Sequence, residues 1–138
     1  MAKDVIPEVR IFDEVKRHIL GPVLVPERFD RHGDAMTSNE IEFSCHYYNE
    51  NHLGRCDREH DQKILSCAKI IESYILEFPV NYNGVQLPAG TWMVKVAVDK
   101  TEEGETIWQQ FLSGELQGFS PDGDCMEHKI IKDEENVS

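Results

Sequence analysis

The feature that most constrains the fold is the alternation of apolar side chains with others along Thr91–Val98. A period of two is typical of a β-strand with one buried face. Residues 64–78 alternate in the same way, and Glu72 falls among apolar residues on one of their two faces. Asn83-Gly84 lies between the two segments and is a strong signal for a two-residue hairpin loop. The middle of the chain is therefore predicted to be antiparallel β-structure.

Two helices are predicted from capping signals and helical spacing. Thr37 and Glu40 have the spacing of a capping box, which predicts a helix over residues 38–50. Glu105–Ser113 carries apolar residues at helical spacing and is followed by Gly114, a residue type that commonly ends helices.

Further strands are predicted on either side of these segments. Lys16–Pro26 is rich in aliphatic residues and is predicted to be a strand interrupted at Gly21-Pro22. Glu115–Ser120 and Cys125–Lys132 are predicted to be two short strands around a turn. The pattern predicts an α+β fold, mainly antiparallel β, built as a small barrel or curled sheet with two helices.

Composition limits the function classes. The 138 residues suit one domain, and a formal charge of −12 disfavours partners with phosphate backbones or anionic lipid. We therefore expect no nucleic-acid and no membrane partner. The first residues are too charged for a signal-peptide core, so the four cysteines are expected to be reduced thiols, and the absence of a CxxC pair disfavours a structural zinc site. The expected organisation is an N-terminal arm over residues 1–15, a domain over 16–131 and an acidic flexible tail over 132–138.

Ser120 is a candidate nucleophile because it ends a predicted strand in Gly118-Phe119-Ser120 and precedes a turn that would expose its hydroxyl. A serine in that role needs a base and a third group that orients the base. The motif is short, and taken alone it is more often a simple turn at the end of a strand.

His60 is the candidate base, since it lies in a polar loop before a strand; a solvated loop histidine is the alternative. Glu72 is a candidate third member because a carboxylate on an apolar face would need a partner. His128 alternates with apolar residues in the last predicted strand and is a second candidate for that role; a half-buried strand histidine without a catalytic role is the more common explanation.

A zinc site is a separate hypothesis. Cys56 and His60 are spaced as a usable ligand pair, and zinc prefers thiolate and imidazole. Cys45 falls on the buried stripe of a predicted helix and Cys67 within a predicted strand, so no metal is assigned.

Four segments, taken in order, resemble the prohead (capsid maturation) proteases of phages. They are GPVLVPERFDRHGDAMTSNEIE, KIIESYILEFPV, NGVQLPAGTWMVKVAVDK and IWQQFLSGELQGFSPDG. The resemblance covers about residues 20–124. It implies a β-barrel related to herpesvirus assemblin, with Ser120 as nucleophile, His60 as base and Glu72 as third member; His128 is the alternative third member by analogy with assemblins.

The resemblance implies a serine endopeptidase, without a cofactor, that cleaves phage scaffold or major capsid protein. It would act in the host cytoplasm, inside proheads. The sequence does not decide between a monomer and a homo-oligomer. One departure favours a catalytically silent, scaffold-binding head protein of the same fold. The family continues after the serine with a small apolar residue and two glycines, whereas this chain has Pro121-Asp122-Gly123. Proline has no N–H to donate to an oxyanion, and Asp122 adds a negative charge there.

Overall fold

The computed structural model describes residues 7–28, 35–51 and 67–118, together with the backbone of residues 57–58 and 124–128. Within these residues the chain alternates strands with two helices, as the sequence predicts. The elements are β1 (Arg10–Asp13), β2 (His18–Leu24), α1 (Ser38–Asn51), β3 (Asp57–Arg58), β4 (Ala68–Ile75), β5 (Val80–Tyr82), β6 (Val85–Leu87), β7 (Trp92–Val98), α2 (Glu102–Leu112), β8 (Leu116–Gly118) and β9 (Asp124–His128). The α+β class is confirmed.

A four-stranded antiparallel sheet in the order β1-β2-β7-β4 contains much of the core. The predicted face of β7 is buried, since Trp92, Val94 and Val96 are each at most 2% exposed, but burial alternates only from Val94 onward, because Met93 on the opposite face is also 2% exposed. Full burial of one such aliphatic side chain contributes about 1.5–3 kcal/mol. The predicted interruption of β2 at Gly21-Pro22 is wrong. Both residues pair with β7, and the register shifts between Pro22 and Leu24.

Both helices pack a buried stripe against this sheet. The capping box of α1 is confirmed: the amide of Thr37 donates to the Glu40 carboxylate at 2.8 Å, and the amide of Glu40 donates to the Thr37 hydroxyl at 3.3 Å. Helix α2 begins at Glu102, three residues before the predicted start, because Thr101 caps it by accepting from the amide of Gly104 at 3.1 Å. The buried residues of α1 are Ile41, Cys45 and Tyr48, and those of α2 are Gly104, Ile107, Trp108 and Phe111.

The hairpin predicted at Asn83-Gly84 is confirmed. The two residues join β5 to β6 with φ angles of 54° and 86°, as a left-handed two-residue turn requires. Tyr82, at the end of β5, is buried, and its hydroxyl lies 3.0 Å from the carbonyl oxygen of Leu20 and 2.7 Å from that of Glu8. The hairpin is thereby fixed to β2 and to the segment that precedes β1.

A second sheet has the order β3-β9-β8, with β3 parallel and β8 antiparallel to β9. The amide of Val9 donates to the carbonyl oxygen of Gln117 at 2.9 Å, so the start of β1 contacts β8. Residues Arg10–Asp13, which fall in the segment expected as an arm, pair with β2. No closed barrel is found in the described part of the chain, and the predicted barrel stays a prediction. No helix among these residues is both long and apolar enough to cross a bilayer.

Candidate active site

Two of the predicted catalytic residues, Ser120 and His60, lie outside the described residues, as does Cys56. His128 is described only through its backbone, which pairs with Leu116 at the end of β9. The structure therefore bears on the site through Glu72 and through the strands that lead to the serine and the histidine.

Those strands lie on the two sides of β9. Arg58 in β3 is paired with Met126, and Gly118 in β8 is paired with Glu127, the neighbouring residue of β9. Adjacent strands are about 4.8 Å apart, so β3 and β8 are separated by about 10 Å. His60 follows Arg58 by two residues, and Ser120 follows Gly118 by two. Because β3 is parallel and β8 antiparallel to β9, the two strands run in opposite directions.

Glu72 does not lie on a buried face, and the expectation of a buried carboxylate is wrong. Its side chain is 47% exposed, and its Oε2 accepts a hydrogen bond from Lys95 Nζ at 3.2 Å. The cause is a register shift between Ile70 and Glu72, where one extra residue leaves Ile71 and Glu72 both exposed. The strict alternation assumed from the sequence ends at this bulge. The catalytic role of Glu72 stays a prediction.

The other side of β4 holds a polar contact in the core. Ser73 Oγ accepts from Trp92 Nε1 at 3.0 Å, and its carbonyl oxygen accepts from Asn49 Nδ2 at 3.2 Å. Cys45 lies beside them, and burial raises the pKa of its thiol. These contacts connect α1 to β4 and β7, and the raised pKa favours the protonated form of the thiol.

Sequence reasoning missed a cluster on the face of the sheet that carries Glu72. Lys95 Nζ lies 3.9 Å from the centroid of the Phe12 ring, and the Arg10 guanidinium carbon lies 5.4 Å from the same centroid. We call Arg10, Phe12 and Lys95 the Phe12 cluster. The signal that could have found it is Lys95 itself, the single charged residue in β7.

Among the described residues, no group of three or more His, Cys, Asp or Glu side chains lies close enough to bind a metal ion. The Cys56–His60 pair considered for zinc is outside that set, and the zinc hypothesis stays a prediction.

Comparison with known proteins gives a family match over nearly the whole chain. Residues 8–128 match the model of the family described as "Putative phage serine protease XkdF". The chain is 33% identical over 135 residues to the uncharacterized protein YqbD of Bacillus subtilis (strain 168). The aligned residues are 95% of this chain and 39% of that protein.

A second relative is the phage-like element PBSX protein XkdF of the same organism, 25% identical over 120 residues, which are 84% of this chain and 41% of that protein. The chain thus spans about two fifths of the length of these curated relatives. No solved structure matches the chain.

Proposed function

The chain belongs to the phage serine protease XkdF family, and on that premise we propose that it is a prohead serine endopeptidase. It cleaves scaffold protein, major capsid protein or both during head assembly, in the host cytoplasm and inside the prohead. The observation that carries the proposal is the family match over residues 8–128, which includes the Gly-Phe-Ser segment and the His60 segment.

Strand order places the segments before His60 and Ser120 in one sheet, although β3 and β8 run in opposite directions and point to opposite ends of it. His60 and Ser120 are sixty positions apart in sequence, yet the strands that lead to them flank the same strand, β9. In the proposed mechanism His60 accepts the Ser120 proton while the hydroxyl oxygen attacks the scissile carbonyl carbon. The imidazolium then protonates the leaving amine, and water hydrolyses the acyl-enzyme.

Glu72 is the proposed third member, with His128 as the alternative. Lys95 binds Oε2 of Glu72, which leaves Oε1 to accept a hydrogen bond from the His60 ring. A carboxylate in this role holds the correct tautomer of the imidazole and stabilises the imidazolium that forms.

The proposal includes an assemblin-like barrel. The hydrogen bond from Val9 to Gln117 links the edge of the four-stranded sheet to β8, as one curled sheet would require. In that arrangement β4 and β3 would be the two ends, and the chain between them carries His60.

Substitution of the serine tests the proposal. Ser120→Ala is expected to abolish cleavage of co-expressed scaffold and capsid proteins and to leave the melting temperature unchanged. Ser113→Ala is the matched control, because Ser113 is an exposed serine at the end of α2. Cleavage is followed by intact-mass spectrometry. Undiminished cleavage by Ser120→Ala would rule out the serine mechanism.

A second candidate function is a catalytically silent head protein that binds scaffold. Pro121 and Asp122 favour it, because neither suits a residue that follows a nucleophile. This function predicts no cleavage by the wild type and stoichiometric presence in mature particles by mass spectrometry. Cleavage by the wild type that is lost in Ser120→Ala excludes it.

A further inference from the structure

A line of paired residues crosses all four strands of the larger sheet. The register pairs Arg10 with Leu20, Leu20 with Lys95, and Lys95 with Glu72. Directly paired residues project from the same face of a sheet. The two cations and the proposed catalytic carboxylate therefore share one face, opposite the face of β7 that buries Trp92.

The Phe12 ring holds the two cations of this line. Lys95 Nζ and the Arg10 guanidinium carbon lie 3.9 Å and 5.4 Å from the ring centroid, and the guanidinium carbon also lies 5.5 Å from the centroid of Tyr82. The negative face of an aromatic ring attracts cations, which allows two positive charges to lie close together. Arg10 also acts electrostatically on Tyr74 and lowers its pKa, against the larger effect of burial, which raises it.

Arg10 has no anionic partner in the described part of the chain. The ion pairs there are Arg17 with Glu105 and Lys95 with Glu72, and Arg10 Nε is buried without a hydrogen-bond acceptor. A guanidinium is suited to bidentate binding of a carboxylate. Arg10 as a whole is partly exposed, although its Nε is enclosed, and Phe12 and Tyr74 beside it are 44% and 37% exposed, so apolar surface borders the guanidinium.

We propose that the Phe12 cluster is a specificity subsite for an acidic side chain of an extended peptide substrate; this rests on the proposed protease function. Three strand spacings separate Arg10 from Glu72, about 14 Å. An extended peptide covers that distance in about four residues. The formal charge of −12 repels an acidic peptide elsewhere on the protein. Lys95 is already paired with Glu72, so Arg10 is the cation of the cluster that would bind the acidic side chain of the substrate.

Binding to the full-length Ser120→Ala variant tests the subsite without cleavage. The probes are N-acetyl-Glu-Val-Glu-Val-amide and N-acetyl-Gln-Val-Gln-Val-amide, titrated at matched ionic strength and followed by NMR at Arg10 Nε–H and the Phe12 ring. We expect the glutamate peptide to bind about tenfold more tightly, as a charge-assisted hydrogen bond allows.

Variants separate recognition from folding. Arg10→Gln is expected to abolish the preference for glutamate. Arg10→Lys is expected to keep part of it, since lysine retains the positive charge but lacks the planar guanidinium that binds a carboxylate through two N–H groups. Arg28→Gln is the matched control, because Arg28 donates to the carbonyl oxygen of Gln86, away from the cluster. Melting temperatures show whether each variant folds.

Equal affinity for the two peptides would overturn the subsite, and so would an unchanged preference in Arg10→Gln. Chemical-shift changes with inorganic phosphate as large as those with the glutamate peptide would indicate a general anion site. Chemical-shift changes on raising the protein concentration alone would indicate that a second copy of the chain binds this face. Either result would also overturn the subsite. If the wild type cleaves nothing but the preference persists, the protease function fails and the acidic-peptide site stands.

Discussion

Gly104 shows how one residue sets the junction between a strand and a helix. It lies in the first turn of α2, and a Cβ built there would fall well inside van der Waals contact with the carbonyl oxygen of Asp99. That oxygen is backbone at the end of β7 and cannot move as a flexible side chain could. Glycine is a weak helix former, which explains why the sequence alone predicted a helix that begins at Glu105.

Gly104→Ala is expected to destabilise the protein by about 2 kcal/mol. Alanine favours helix by about 1 kcal/mol, but overpacking against a fixed group costs about 1–3 kcal/mol and the close approach to Asp99 falls at the upper end. Urea unfolding measures the difference. Thr106→Ala, an exposed change in the same helix, should stay within about 0.5 kcal/mol of the wild type. A Gly104→Ala protein as stable as the wild type would contradict the proposed contact.

At the scale of elements, one arginine connects the β1–β2 turn to α2. Arg17 adopts a left-handed φ of 59°, donates to the carbonyl oxygen of Asp99 at 3.0 Å and pairs with the Glu105 carboxylate. Its guanidinium carbon lies 5.8 Å from the centroid of the Trp108 ring. The turn, the end of β7 and the first half of α2 are held by this side chain.

Acid should weaken this connection. Hydrogen bonds from Gln109 and Arg17, in that order of size, lower the pKa of Glu105 below its ordinary value of 4.5. A carboxyl whose pKa is lower in the folded state stabilises it above the unfolded pKa, and the contribution is lost as pH falls through the folded pKa. Glu105→Gln should therefore lower the melting temperature at pH 7. The difference from the wild type should disappear once the pH has fallen below the folded-state pKa of Glu105.

Thermal unfolding across the acid range measures this difference. Glu103→Gln, the same change on the exposed side of the first turn, is the control. A constant gap between Glu105→Gln and the wild type at every pH would contradict the assigned role of the carboxylate.

The elements differ in how far sequence could predict them. Strand β7 and the hairpin at Asn83-Gly84 follow from local patterns, since period and turn chemistry act within a few residues. The bulge before Glu72 has no such signal, because an extra residue in β4 is defined only against its partner β7. One unpredicted residue moved Glu72 from the expected buried face to the surface.

At the scale of the whole molecule, the proposed site depends on strand order. The order β3-β9-β8 brings the segments before His60 and Ser120 to one sheet, and the order β1-β2-β7-β4 aligns Arg10 and Lys95 with Glu72. Sequence motifs predicted the serine and the histidine by resemblance. They could not predict the Phe12 cluster, whose members meet only through long-range pairing.

The most direct test of the central claim is active-site labelling with a fluorophosphonate, which phosphonylates a serine activated by a histidine and releases fluoride. The account predicts one adduct on the peptide that contains Ser120, absent in His60→Ala and retained in Ser113→Ala, by peptide mass spectrometry. No adduct on the wild type, or equal labelling of Ser120 after His60→Ala, would contradict the pairing of these two residues.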